Sequence, residues 1–256
     1  MSATTSRATV WPAIVIGLTL AGAAATAAAP APPDTACGVR DGVMLSGPRA
    51  SHDVALTFDA CPTLHVPGFA PGIVEYLKQH DVAATFFVSG RWAEKHRDAF
   101  AQLVSVPAFD VALHTQFHRH LRGATVQNIR TEIENGRATL QRLGATPQPF
   151  FRPPYGETPP TLPVAARAAG VTPVLWDVAP GDPSPGSTPK GIERYVLQTV
   201  RGGSIIVLHV NGRGVGTEAA VPAIVEGLHA RGFTFVTVST LLHACTPPPP
   251  SPEAAP

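Results

Sequence analysis

The stretch Ser204-Ile205-Ile206-Val207-Leu208-His209 decides how the chain folds. Its apolar run is unbroken and β-branched, and it ends on an imidazole. A strand that is apolar at every position is buried on both faces, which is the habit of parallel sheets covered by helices. The flanks agree: Lys190–Val200 before it and Ala219–Arg231 after it carry helical spacing, and Phe233–Val238 reads as a further strand. Working outward, the alternation persists. Val54–Phe58, Val82–Val88, Val111–Leu113, Phe150–Phe151 and Val171–Trp176 read as strands. Pro71–His80, Arg91–Val104, Val126–Leu143 and Leu162–Ala169 read as helices. In the longest of these, Val126, Ile129, Ile133, Leu140 and Leu143 form one inward stripe. The pattern predicts an α/β fold whose parallel sheet is able to close into a barrel.

The polar residues that could do chemistry share one place in this pattern. Asp59, His114, Arg152, Asp177, Asp182 and His209 all lie at or just past the C-terminal end of an expected strand. In α/β barrels that end carries the active site. His114 and His118 stand out within Leu113-His114-Thr115-Gln116-Phe117-His118, because imidazoles four residues apart on a helical turn can reach one metal ion. With 10 His in 256 residues, random placement yields about 0.4 such pairs. The pair therefore counts only in company.

Composition sets the outer limits. The length suits one large domain. Only 14% of residues are charged and the net charge is +1, so neither nucleic acid nor an anionic membrane is an expected partner. Residues 1–27 read as a signal peptide: Arg7 precedes an apolar Val10–Ala25 segment, and Ala25-Thr26-Ala27 fits a small-x-small cleavage site. The chain is thus expected to be exported, periplasmic or secreted, and to meet a membrane only if the signal stays uncut. Residues 28–49 read as linker and lead-in, 50–245 as the domain, and 246–256 as a Pro-rich disordered tail. Cys37 and Cys245 flank the domain. In an oxidising compartment they either bridge or remain terminal thiols.

The ordered set Thr57-Phe58-Asp59, His114-Thr115-Gln116-Phe117-His118, Arg152-Pro153-Pro154-Tyr155, Asp182 and Leu208-His209 resembles the polysaccharide deacetylases with a NodB-homology domain (carbohydrate esterase family four). The resemblance spans roughly residues 50–240. It implies a distorted (β/α) barrel of about seven βα units and metal-dependent removal of acetyl groups from an N-acetylated polysaccharide or peptidoglycan sugar. It also implies roles. Asp59 is the base and His209 the acid. Arg152 forks onto the base, and Asp182 orients the acid, with Asp177 an alternative for that task. The Tyr155 backbone N–H faces the oxyanion, Val207 stands in the acetyl pocket, and His114 and His118 hold a divalent metal, with zinc the expected ion. Thr115 fits the small hydroxyl position between them, and His120 is left as surface.

The departures from the family pattern bear on the metal. The family's second Asp, a metal ligand, is replaced by Ala60, and the next residue is Cys61 in place of the usual Gly. Either Asp59 or Cys61 is then the third ligand, with Asp59 preferred, or metal binding is weak or absent. The aromatic residue expected after Asp182 is Pro183, so a groove wall is missing there. The run Gly212-Arg213-Gly214-Val215-Gly216 lacks the rest of a dinucleotide fingerprint. Two other functions stay open: a glycan-binding barrel without turnover, and a hydrolase of a small amide or imide.

Overall fold

In the computed structural model, residues 37–63 and 68–245 are described, together with Met1. The expected cleavage site, the 28–36 part of the linker and the 246–256 tail lie outside the described residues. Within the lead-in, β1 (Cys37–Arg40) and β2 (Val43–Pro48) form an antiparallel hairpin. The domain then runs β3 (Asp53–Ala60), α1 (Pro71–Gln79), β4 (Ala84–Val88), α2 (Gly90–Lys95), α3 (Arg97–Val104), β5 (Phe109–Leu113) and α4 (Val126–Arg142). It continues with β6 (Phe150–Phe151), a 3-10 turn at Pro154–Gly156, α5 (Leu162–Ala168), β7 (Thr172–Pro173) and α6 (Pro189–Thr199). β8 (Ile205–His209), α7 (Thr217–His229), β9 (Thr234–Val236) and α8 (Val238–His243) complete it. No helix among the described residues is long and apolar enough to cross a membrane.

One seven-stranded sheet carries the fold, in the order β7-β6-β5-β4-β3-β8, with β9 paired to β3. Every pairing in it is parallel. The two faces of β3 separate by the period-two alternation of a strand. Val54, Leu56, Phe58 and Ala60 join the large core between sheet and helices. Ala55 faces inward and packs with Phe87, Ala112, Val174, Ile205, Val238 and Leu241. Thr57 and Asp59 continue that inward face, so the upper half of the barrel interior is polar where the lower half is apolar.

The barrel is distorted because β7 and β8 share no ladder. β7 stops at Pro173, which has no N–H to donate. The lead-in strand β2 fills the gap, bridging Met44 to Val174 on one side and Ser46 to Ser204 on the other. Val178 adds a bridge to Ile206. The expected strand Val171–Trp176 is therefore only two residues of ladder plus this seam. Asp177 belongs to the seam as well: it accepts from Ile205 N at 2.8 Å and Ser204 Oγ at 2.9 Å, and pairs with Arg49 at 2.9 Å.

Two other expectations change in detail. Arg91–Val104 is two helices, divided at His96, whose ψ of 54° breaks the helical run. Phe233–Val238 is a short strand followed by α8. The Thr237 side chain accepts from Thr240 N and starts that helix, while Val238 N donates to Thr85 Oγ1 at 2.9 Å.

Cys37 and Cys245 are bonded, across 208 residues of chain. The bridge ties the hairpin that seals the barrel to the helix that caps its interior. Replacing both cysteines by serine is expected to cost about 2–5 kcal/mol, read as a lower midpoint in non-reducing denaturant unfolding. An unchanged midpoint would show that the seam holds without the bond.

Candidate active site

Six of the polar residues singled out in the sequence face one cleft of about 220 Å3 at the C-terminal end of the strands: Asp59, Cys61, His118, Tyr155, Asp182 and His209. Val207, Trp176, Pro183 and Arg213 also line it. Asp59 and His209 are register partners on the adjacent strands β3 and β8, so their side chains emerge side by side. Trp176 supplies the aromatic wall that Pro183 does not.

Arg152 is 0% exposed and follows β6. Its Nη1 donates to Asp59 Oδ1 and to Thr57 Oγ1, both at 2.8 Å. Nε and Nη2 donate to the carbonyls of Val174 and Leu175, at 3.4 and 3.2 Å. The guanidinium lies over the Phe87 ring at 3.8 Å. The expected fork onto both carboxylate oxygens is thus a single-nitrogen contact, because the other nitrogens are claimed by the irregular edge after β7. Burial of Asp59 would raise its pKa, but Arg152, His114 and His209 outweigh it and hold the carboxyl below its usual range.

His114 follows β5 and is 1% exposed. Its Nδ1 donates to the Arg152 carbonyl at 2.7 Å, which places the ring proton there and leaves a lone pair on Nε2. That Nε2 has no hydrogen-bond partner among the described residues and stands 3.6 Å from Asp59 Oδ2. His118 packs against it edge-on, ring centroids 4.7 Å apart. Burial pushes His114 below the usual imidazole range, against the pull of Asp59. Burial and the neighbouring His114 push His118 down to about 3. Both shifts favour the neutral ring, the form that binds metal.

The segment between them corrects one expectation. Residues 114–118 are not a helical turn: Thr115 and His118 have φ of 65° and 56°. The bend is held from three sides. Gly90 N and Arg91 N, at the start of α2, donate to the carbonyls of Thr115 and Gln116. Glu132 of α4 accepts from Phe117 N at 3.0 Å, and Thr115 Oγ1 accepts from His118 N at 2.9 Å. Gly136 lets α4 approach so closely that an added Cβ would stand 2.8 Å from the Thr115 carbonyl oxygen.

His209 is oriented by Asp182, not Asp177. Asp182 Oδ1 accepts from His209 Nδ1 at 3.0 Å, and Oδ2 accepts from His209 N and Thr217 Oγ1, both at 2.8 Å. Burial alone would lower the His209 pKa; the Asp182 contact and the Asp59 charge overcome it and raise it. Tyr155, with φ of 57°, turns at the rim and stacks on His120, centroids 4.0 Å apart. Cys61 is buried and free. Asn211 Nδ2 donates to its carbonyl at 2.7 Å and its sulfur at 3.0 Å. Burial and Asp59 push the thiol up to about 12. Thr57 and Asn211 had a sequence signal, since each lies two residues from a singled-out residue on a strand or its extension. Glu132 had none, being far from the histidines in sequence.

Comparisons with known proteins agree on one family. Its profile, polysaccharide deacetylase, matches residues 46–174. A peptidoglycan-N-acetylglucosamine deacetylase of Bacillus cereus is 33% identical over 199 residues, covering 77% of this chain and 70% of the relative. A chitooligosaccharide deacetylase of Sinorhizobium fredii is 32% identical over 194 residues, 70% of this chain and 87% of its own. The crystal structure of a peptidoglycan N-acetylglucosamine deacetylase bound to 4-naphthalen-1-yl-N-oxidanyl-benzamide matches with a TM-score of 0.70 and 32% identity, covering 78% of this chain and 92% of that one. A pseudoenzyme from Bacillus anthracis shares the fold, with a TM-score of 0.71 and 22% identity over 80% of this chain and 70% of its own.

Gly136→Ala is the change that most directly tests the packing under the histidine bend. Forcing a methyl onto the Thr115 carbonyl is expected to cost about 1–3 kcal/mol. A thermal midpoint equal to wild type would mean that the bend does not depend on this approach.

Proposed function

The chain belongs to the polysaccharide deacetylase family, and on that premise we propose that it is an exported, metal-dependent hydrolase that removes N-acetyl groups from a polysaccharide or peptidoglycan sugar. The observation that carries this reading is the pairing of Asp59 with His209. One is held ionised by a buried arginine, the other is raised toward its protonated form by Asp182, and both face one cleft. Two groups whose surroundings push them toward opposite roles are what base and acid in one reaction require. The substrate class comes from the relatives, named for peptidoglycan and chitooligosaccharide. Export is supported by the signal-like start and by the Cys37–Cys245 bond.

The residues present fit a metal. The buried His114 Nε2, unpartnered among the described residues, is a polar atom that an ion would satisfy. His114 and His118 would hold it, with Asp59 or Cys61 third. When bound, such an ion would polarise the acetyl carbonyl and acidify an attacking water. Asp59 takes the proton of that water as oxygen attacks the amide carbon. Arg152 keeps the carboxylate ionised and aimed. The Tyr155 backbone N–H donates to the developing oxyanion, and Val207 and Trp176 give the acetyl methyl an apolar seat. His209, with Nδ1 donating to Asp182, gives its proton from Nε2 to the departing nitrogen. The carbon–nitrogen bond breaks, releasing acetate and a free sugar amine.

Acetate release from acetylated chitooligosaccharides and from peptidoglycan tests the reading. Asp59→Asn is expected to lower it by about 10²–10⁴-fold; wild-type release would remove Asp59 from the role of base. Ala60 favours one rival, a glycan-binding barrel. Sugar binding without acetate under added zinc, cobalt or nickel would establish that rival.

The pH profile offers an independent check. His209 must be protonated to act, so activity falls as pH rises through its raised pKa. Asp182→Asn removes the main raising interaction and is expected to move that alkaline limb to lower pH. A limb that stays in place would assign it to another group.

A further inference from the structure

We propose that Cys61, as a thiolate, is the third protein ligand of a divalent metal held with His114 and His118. The inference rests on the metal-dependent reading above and deepens it by choosing between the two candidates left open.

Four observations converge. One ligand atom from each of Cys61, His114 and His118 lies within 4.8 Å of the other two. That is a closed triangle of donors around one point. Second, His114 Nε2 is buried, carries a lone pair and has no hydrogen-bond partner among the described residues. Third, position 60 has lost its donor while position 61 supplies one. The Ala60 methyl cannot ligate and packs in the core with Phe58 and Val88. Cys61, just past the end of β3, lines the cleft. Fourth, the sulfur is already positioned. Asn211 is fully buried and donates from one amide nitrogen to both the carbonyl and the sulfur of Cys61. An N–H aimed at sulfur favours its anionic form and fixes its direction, as outer-shell partners of metal ligands do.

The same geometry argues against Asp59. One of its oxygens is engaged by Arg152 at 2.8 Å. The other would have to serve both as ligand and as base. With Cys61 in the ligand role, Asp59 keeps that oxygen for proton transfer. The step is coordination without redox: a metal–sulfur bond forms, the sulfur–hydrogen bond breaks, and the proton goes to solvent. Two imidazoles and a thiolate form a borderline-soft set that suits zinc or cobalt over magnesium or calcium.

The test uses the full protein, purified without a His tag, stripped with chelator and reloaded. The cobalt-loaded wild type is expected to show a near-ultraviolet sulfur-to-metal charge-transfer band. The zinc-loaded protein is expected to show one sulfur at about 2.3 Å in X-ray absorption. Cys61→Ser should abolish the band. Asn211→Ala should retain it while lowering zinc affinity about 10–100-fold. One equivalent of bound cobalt without the band, or a zinc shell of nitrogen and oxygen alone, overturns the Cys61 assignment and leaves the deacetylase reading standing. Acetate release by protein that takes up no metal overturns the metal dependence itself, and Cys61 with it. Should Cys61→Ser fail to fold, the wild-type spectra decide.

Discussion

The buried ion pair between Arg152 and Asp59 is the constraint on which the rest of the site depends. A guanidinium with no solvent contact must find its partners inside the protein, because each charge taken from water costs several kcal/mol. Arg152 finds them on two separate elements: the hydroxyl and carboxylate of β3, and two carbonyls of the segment after β7. Its own carbonyl accepts from His114. One residue thereby fixes the direction of Asp59 and the course of the irregular edge through its side chain, and the tautomer of the first histidine through its backbone carbonyl. Such a pair is a poor source of net stability, and removing one partner leaves an uncompensated buried charge. Its value here is positional.

Irregularity in the sheet follows from the same economy of hydrogen bonds. Leu175 offers its carbonyl to Arg152 and its N–H to Met44. It therefore has neither group left for a regular ladder toward β8. β2 and Asp177 complete the seam. Sequence patterning could not show this. It recovers strands that are apolar along their length, such as β4 and β8, because burial on both faces leaves a local mark. The seam is made of single bridges between residues far apart in the chain, and nothing local in Met44 or Ser46 points to partners at Val174 and Ser204. For the same reason Asp177 and Asp182 were not separable by sequence spacing. Both follow β7, and only the path through Gly181, with its φ of 74°, directs Asp182 to His209.

The histidine segment shows a second limit. Spacing alone predicted that His114 and His118 would meet, and they do, but not by the helical geometry from which that meeting was inferred. Left-handed φ at two non-glycine residues costs roughly 1–2 kcal/mol each. The cost is met by donors from α2, an acceptor from α4 and the close approach at Gly136. Strained backbone held by its surroundings is a recurring feature of functional sites. Here it has a visible result: His118 turns back to face His114 rather than continuing along a helix, and its ring closes one side of the cleft.

Ala60 acquires a different meaning in this frame. A carboxylate lost from a metal site would ordinarily point to a site in decay. Yet the surrounding groups are all engaged: Asp59 with Arg152, His209 with Asp182, His114 with the Arg152 carbonyl, and Cys61 with Asn211. A decaying site has no reason to keep a fully buried asparagine amide directed at a sulfur, since burying a polar side chain is costly unless each contact is satisfied. Asn211 holds Cys61 on the cleft side near Asp59, where the proposed exchange of carboxylate for thiol would change the softness of the donor set and leave Asp59 free for the role of base.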